Sequence, residues 1–369
     1  MSNAVDTLLA TSRVIVCAGS GGVGKTTTSA ALAVRAARAG RRVAVVTIDP
    51  AKRLADALGI AGQLSNDPKR ISIDAPGELW AMMLDTRTTF DALISRYSPD
   101  AEQAERITSN RFYKNISGAL SGTQEYMAAE KLFELYSDPR FDLVVVDTPP
   151  TRQALDFLSA PARLTRFIDH PLYRIVIAPT NAGLRVVNTV TQPVLRAIAR
   201  VVGAQALDDA LAFFRAFQGL DAGFRDRAVE VERVLHDASC RYMVVASPQR
   251  DTVAEACFFI EELRRQNVDA ALVVVNRMQP RFTNLTAAEA AHNSTLAIEA
   301  NDTDGAAMWA NVAELQETAE LQEKSLEALA VVAGTTPLAR VPLLPELLAA
   351  EPTSLATLGM LGSLVNIAD

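Results

Sequence analysis

Near the start of the chain stands the run Cys17–Thr28, CAGSGGVGKTTT, in which Gly19-x-x-x-x-Gly24-Lys25-Thr26 fits the phosphate-loop pattern. The glycines of such a loop let successive backbone N–H groups turn inward around phosphate oxygens, and a helix that follows adds the positive end of its dipole. Lys25 suits the β- and γ-phosphates of a nucleotide, and the Thr26 hydroxyl suits a magnesium ion. Three more residues stand at the ends of apolar runs. Asp49, in TIDPA, is placed to orient an attacking water or take its proton, the plainer alternative being a cap for the segment AKRLADALG. Asp147, in VVVDTPP, suits a magnesium ion held through water, with Pro149 and Pro150 stiffening the loop, or serves only as a turn. Asn276 closes LVVVN and carries a donor and an acceptor on one amide, which suits the edge of adenine as well as a plain turn. Val341-Pro342-Leu343-Leu344-Pro345 offers an apolar wall for a base, or packing for a final strand.

Elements of definite type must position these residues. RVIVCA, residues 13–18, is β-rich; Thr26–Ala39 is helix-forming and stops at Gly40; VAVVTI, residues 43–48, is a second buried strand. Strand, helix, strand over so short a span is a βαβ unit with parallel strands. Leu143–Val146, Tyr242–Ala246, Leu272–Val275 and Leu338–Val341 have the same buried character. Near-continuous apolar strands belong to a sheet covered by helices on both faces. Asp85–Tyr136 and Pro161–His236 are helical in periodicity and too long for simple crossovers, and Asn284–Ala333 is a further helical stretch.

The expected fold is therefore α/β: a doubly wound, mostly parallel sheet of the P-loop NTPase type with an inserted all-helical subdomain. The whole chain, 1–369, reads as one such domain. Its nucleotide core spans 13–85, 141–160, 240–281 and 338–369, and its helical subdomain 86–140, 161–236 and 282–334.

Composition narrows the class. A net charge of −7 spread along 369 residues argues against a general nucleic-acid surface. Cys17, Cys240 and Cys257 are odd in number and scattered, which fits a reducing compartment. No basic segment followed by a long apolar run opens the sequence, and Ile175–Ala206 is broken by Asn181, Arg185, Gln192 and Arg196. The expectation is a cytoplasmic protein not integral to a membrane. No C-x-x-C occurs, and His170, His236 and His292 are isolated, so neither zinc nor an iron–sulfur cluster is expected.

GSGGVGKTTT, TIDPAKRLADALG, VVVDTPPTRQALDFL, VVVNR and VPLLPELL occur in an order that resembles the ArsA family, which includes arsenite-pump ATPases and Get-type ATPases that target tail-anchored membrane proteins. Within it the chain resembles the Ser-loop member of the paired actinobacterial Get-like ATPases. The resemblance implies binding of ATP or ADP with Mg²⁺ and hydrolysis of ATP. It implies that Gly21, Gly22, Val23, Gly24, Lys25, Thr26 and Thr27 form the phosphate loop, with Lys25 and Asp49 catalytic and Thr26 and Asp147 serving the metal. It further implies adenine contacts from Asn276, Pro342 and Leu343.

The chain differs from the family pattern at Ser20, where this branch carries a second lysine that crosses a nucleotide-sandwich dimer to the partner's phosphates. A serine there leaves three possibilities: slow hydrolysis, a substitute cation among Lys52, Arg53 and Arg152, or a lysine supplied by a partner. The expected partner is a homologous Lys-bearing subunit, a homodimer being the alternative. Apolar residues of the helical insert, among them Phe213, Phe214, Phe217, Val186, Leu195 and Ile198, either line a groove for a hydrophobic client or pack on their neighbours.

Overall fold

The computed structural model describes residues 4–49, 53–60, 64–119, 122–149, 155–170, 203–344 and 355–365. They form two compact units, one of residues 1–83, 138–155 and 238–369 and the other of residues 84–137 and 156–237. Residues 282–334, expected in the helical subdomain, fall in the first unit instead. There Ala287–Glu299 and Thr303–Ser325 pack against each other. Local periodicity announces a helix but not the surface that receives it, and that is why the segment was misplaced.

The first unit is built on eight strands: β1 (Val14–Gly19), β2 (Arg42–Thr47), β3 (Lys69–Ile71), β4 (Glu78–Met83), β5 (Leu143–Asp147), β6 (Cys240–Ala246), β7 (Ala270–Met278) and β8 (Leu338–Pro342). Their order is β3-β4-β2-β5-β1-β6-β7-β8. Every neighbouring pair is parallel except β3 with β4. Valine and isoleucine stiffen the central strands and pack on both faces of the pleat. All of β1 and β5 is buried, and helices cover both sides of the sheet. β3 and β4 escape the sequence reading because β4 is ELWAMM, with no β-branched residue, and β3 is three residues long.

The parallel register brings the ends of β2, β5 and β1 level: Thr47 and Cys17 both pair with Asp147. Arg42 fastens the opposite end, its backbone N–H and guanidinium donating to the Asp142 carboxylate at 2.9 and 2.7 Å. The second unit is helical. Asp85 and Asp100 start two of its helices by accepting the N–H groups of Thr88 and Gln103 at 2.6 and 2.7 Å. Its core gathers Phe90, Ile94, Tyr113, Phe213, Phe217 and Phe224.

Candidate nucleotide-binding site

Because the strands are parallel, the loop after β1 and the C-terminal ends of β2, β5, β7 and β8 all lie at one edge of the sheet. That edge is where open α/β sheets bind ligands. The loop after β1 runs from Gly19 into the helix Lys25–Arg38, whose N-cap is Gly24 at φ 92°. A Cβ on Gly19 would lie 2.2 Å from the Val245 carbonyl oxygen, and one on Gly24 would lie 2.3 Å from Asn276 Nδ2. Both positions need glycine for close approach as well as for conformation.

Lys25 is 6% exposed and its ammonium donates to the Ser20 carbonyl at 2.7 Å. Burial lowers the pKa of this lysine, while the charge of Asp147 works the other way. The Ser20 hydroxyl is buried and has no hydrogen-bond partner among the described residues. Thr26 donates to Asp147 Oδ2 at 2.7 Å, and Thr47 donates to the same oxygen at 3.1 Å. The other oxygen, Oδ1, is buried without a partner among the described residues. Burial pushes the Asp147 carboxyl up to about 6, against the opposing effects of the two threonine hydroxyls and the Lys25 charge. Thr148 completes the attachment by donating to the Cys17 carbonyl at 2.7 Å.

Asp49 is joined to this group through its backbone, its N–H donating to the Thr47 hydroxyl at 3.2 Å. Its carboxylate lies 3.5 Å from Arg53. Asn276 reaches the phosphate loop directly, donating from Nδ2 to the Val23 carbonyl at 3.0 Å. Pro342 ends β8, and the Leu343 N–H donates to the Met278 carbonyl at 2.7 Å, so this pair is tied to the end of β7. Lys52, Arg152 and Pro345 lie outside the described residues.

The structure thus joins Thr26 to Asp147 and Val23 to Asn276, with Asp49 one link away. Thr47 was missed in the sequence. Its only signal was a hydroxyl residue closing an apolar strand two positions before Asp49. The donor set fits a magnesium ion with nucleotide phosphates: a hydroxyl, a buried carboxylate oxygen without a partner, an ammonium and a helix N-terminus.

A glycine loop between the first strand and first crossover helix of a parallel sheet, braced by a threonine on a strand-end aspartate, defines a P-loop nucleoside triphosphatase. The chain belongs to the anion-transporting ATPase family, whose model matches residues 12–295. That range takes in the loop, Asp49, Asp147 and Asn276 and stops short of Pro342 and Leu343. The chain is 28% identical over 272 residues to the ATPase get3 of Aspergillus terreus, covering 73% of this chain and 74% of that protein. It is 32% identical over 152 residues to the ATPase GET3 of Malassezia globosa, 41% and 43% of the two chains. The family and these relatives are ATPases, and the chain is an enzyme of that kind.

Proposed function

We propose that the chain is a Mg-dependent ATPase whose nucleotide state drives rearrangement with a partner subunit. The observation that carries this is the Thr26–Asp147 hydrogen bond of 2.7 Å with Asp147 Oδ1 left unpartnered beside the phosphate loop. The Thr26 hydroxyl and, through water, the Asp147 carboxylate would hold the metal. A magnesium ion there would neutralise charge on the phosphates. Lys25 would exchange its bond with the Ser20 carbonyl for the terminal phosphates, and Asp49 would orient the water for in-line attack. Asn276, Pro342 and Leu343 would lie beside the base.

Ser20 supplies no charge, so the lysine that the family carries at this position would come from a homologous subunit. Such an in-trans cation is worth about 10³–10⁵ in phosphoryl-transfer rate. The test is steady-state turnover of the chain and of Asp49→Asn, each alone and with a Lys-bearing relative added. Turnover that rises steeply with the partner and vanishes in the variant supports the reading. Robust turnover alone removes the need for the partner, and ATP binding with no turnover in either setting leaves a nucleotide-clamped scaffold.

A second reading, a membrane-protein targeting factor with a hydrophobic client, is favoured by one feature of the helical unit. A cavity of about 400 Å³ there is lined by Phe90, Phe112, Met127, Phe167, Phe213 and Phe214. Phe213 and Phe217 are 4% and 7% exposed, so part of the expected groove wall is core. Val186, Leu195 and Ile198 lie outside the described residues. Among the described residues no helix is long and apolar enough to cross a membrane. Either function is proposed for the cytoplasm.

A further inference from the structure

The Asn276 amide makes one bond inside the protein at each end. Nδ2 donates to the Val23 carbonyl at 3.0 Å, Oδ1 accepts the Arg277 N–H at 3.0 Å, and the residue is 5% exposed. A carbonyl needs a donor and an N–H needs an acceptor, so these partners fix which way the amide faces. We propose that Asn276 is a positioning residue for the phosphate loop, pinning the Val23–Gly24 peptide and thereby aiming the Gly24 N–H at bound phosphate. This rests on the reading of the loop as a nucleotide phosphate site.

The peptide plane transmits the constraint. In a planar trans peptide the carbonyl and the following N–H point in opposite directions. Holding the Val23 carbonyl against Asn276 turns the Gly24 N–H away from it. The loop needs this help at Gly24 in particular, because that residue sits at φ 92°, ψ 26° and glycine is the residue least restrained by its own side chain. The same missing Cβ makes room for the amide, since a methyl group at Gly24 would lie 2.3 Å from Nδ2.

The strand is shaped to deliver this side chain. β7 and β8 run in register to Val275–Arg340 and resume at Met278–Pro342, so Asn276 and Arg277 together oppose the single residue Val341. That is a bulge, which re-aims a side chain at a strand end. Arg277 takes φ 65°, a conformation arginine rarely adopts, and its N–H donates to Asn276 Oδ1. An asparagine that only faced a base would not need its acceptor held from behind.

Two readouts on the full chain test the brace, with Asn276→Ala and Asn276→Asp as variants. The aspartate keeps the acceptor for Arg277 and removes the donor to Val23. In nucleotide-free protein, amide exchange of the loop peptide 19–28 is expected to quicken about tenfold in both variants, read relative to the β6 peptide 240–246. Loop exchange unchanged relative to β6 would overturn the proposal. The second readout is binding of Mg·ATP and of Mg·tripolyphosphate, which has no base. Both should weaken by a similar factor, roughly tenfold, with preference for ATP over GTP retained. Weaker ATP with tripolyphosphate intact would make Asn276 a base reader and no brace. Wild-type protein that binds neither compound would sink the nucleotide-site reading, while the exchange measurement would still decide the brace.

Discussion

The hydroxyl of Thr47 donates to Asp147 Oδ2 at 3.1 Å and accepts the Asp49 N–H at 3.2 Å, so one side chain joins the loop after β2 to the end of β5. A change on either aspartate is therefore felt by the other through a single group. Thr47→Val keeps the shape of the side chain and removes both bonds. Each is worth about 1 kcal/mol, so turnover should fall roughly tenfold or more. Nucleotide affinity should change little, because Lys25 and the loop are untouched. Steady-state kinetics beside equilibrium ADP binding measures the two separately, and an affinity loss matching the rate loss would contradict the link.

Asp147→Asn should make turnover nearly insensitive to magnesium concentration and lower it by orders of magnitude. The substitution leaves a partner for the Thr26 hydroxyl but removes the buried charge that the metal would meet. Titration of turnover against magnesium in wild type and variant gives the answer. A variant with an unchanged magnesium midpoint would remove Asp147 from the metal site.

How much of this site was written in the sequence can be seen residue by residue. The loop and the aspartates at strand ends were legible, because a P-loop spacing and apolar runs ending in Asp are local patterns. The roles of Thr47 and of the Asn276 amide were not. Both depend on parallel strands being level at one edge, and a single-strand reading carries no register. β4 was invisible because its Ala81, Met82 and Met83 gain strand character from pairing with β2 and not from intrinsic preference. Residues 282–334 show the same limit in helices, since amphipathicity says that a face is covered and not by which unit.

Cys17 lies in β1 under the loop, fully buried, and burial pushes its thiol up to about 12. At pH 8 the reactive thiolate is then a fraction on the order of 10⁻⁴, against roughly a quarter for an ordinary thiol. Native protein at pH 8 should leave Cys17 unlabelled by iodoacetamide, and urea-unfolded protein should label it fully. Peptide mass spectrometry after each treatment checks this, and native labelling of Cys17 would show that β1 opens.

Asp142 gives an acid-dependent component of stability. Hydrogen bonds from Arg42 hold its carboxyl at about 2, below the ordinary 3.8. A depressed carboxyl pKa stabilises the fold above the unfolded value, and the contribution drains away as pH falls through the folded one. Wild type should exceed Asp142→Asn in urea midpoint at pH 7, with the gap shrinking as pH drops from about 4 towards 2. The side chain is 37% exposed, so solvent screening keeps the gap small. A gap constant over that range would mean the ion pair is not the cause.

In the helical unit, Glu130 and Arg227 form the opposite case, a pair out of water. Their side chains are 2% and 12% exposed, with Arg227 Nη2 donating to Oε1 at 2.6 Å and Nε donating to both oxygens at 2.9 Å. The guanidinium also lies 3.9 Å over the Phe133 ring. Glu130→Ala would leave Arg227 only the exposed Glu230 carboxylate at 3.7 Å and should cost this unit on the order of 3 kcal/mol. Replacing both residues by methionine removes the charges together and should recover most of that loss, since the desolvation of two ions disappears with their attraction. Amide exchange of the helices Thr123–Ser137 and Asp221–Leu235 reads the effect locally, apart from the sheet. Recovery in the double variant would show that the pair adds little net stability over apolar side chains of similar size. A loss equal to the single variant's would mean its hydrogen bonds hold the unit together.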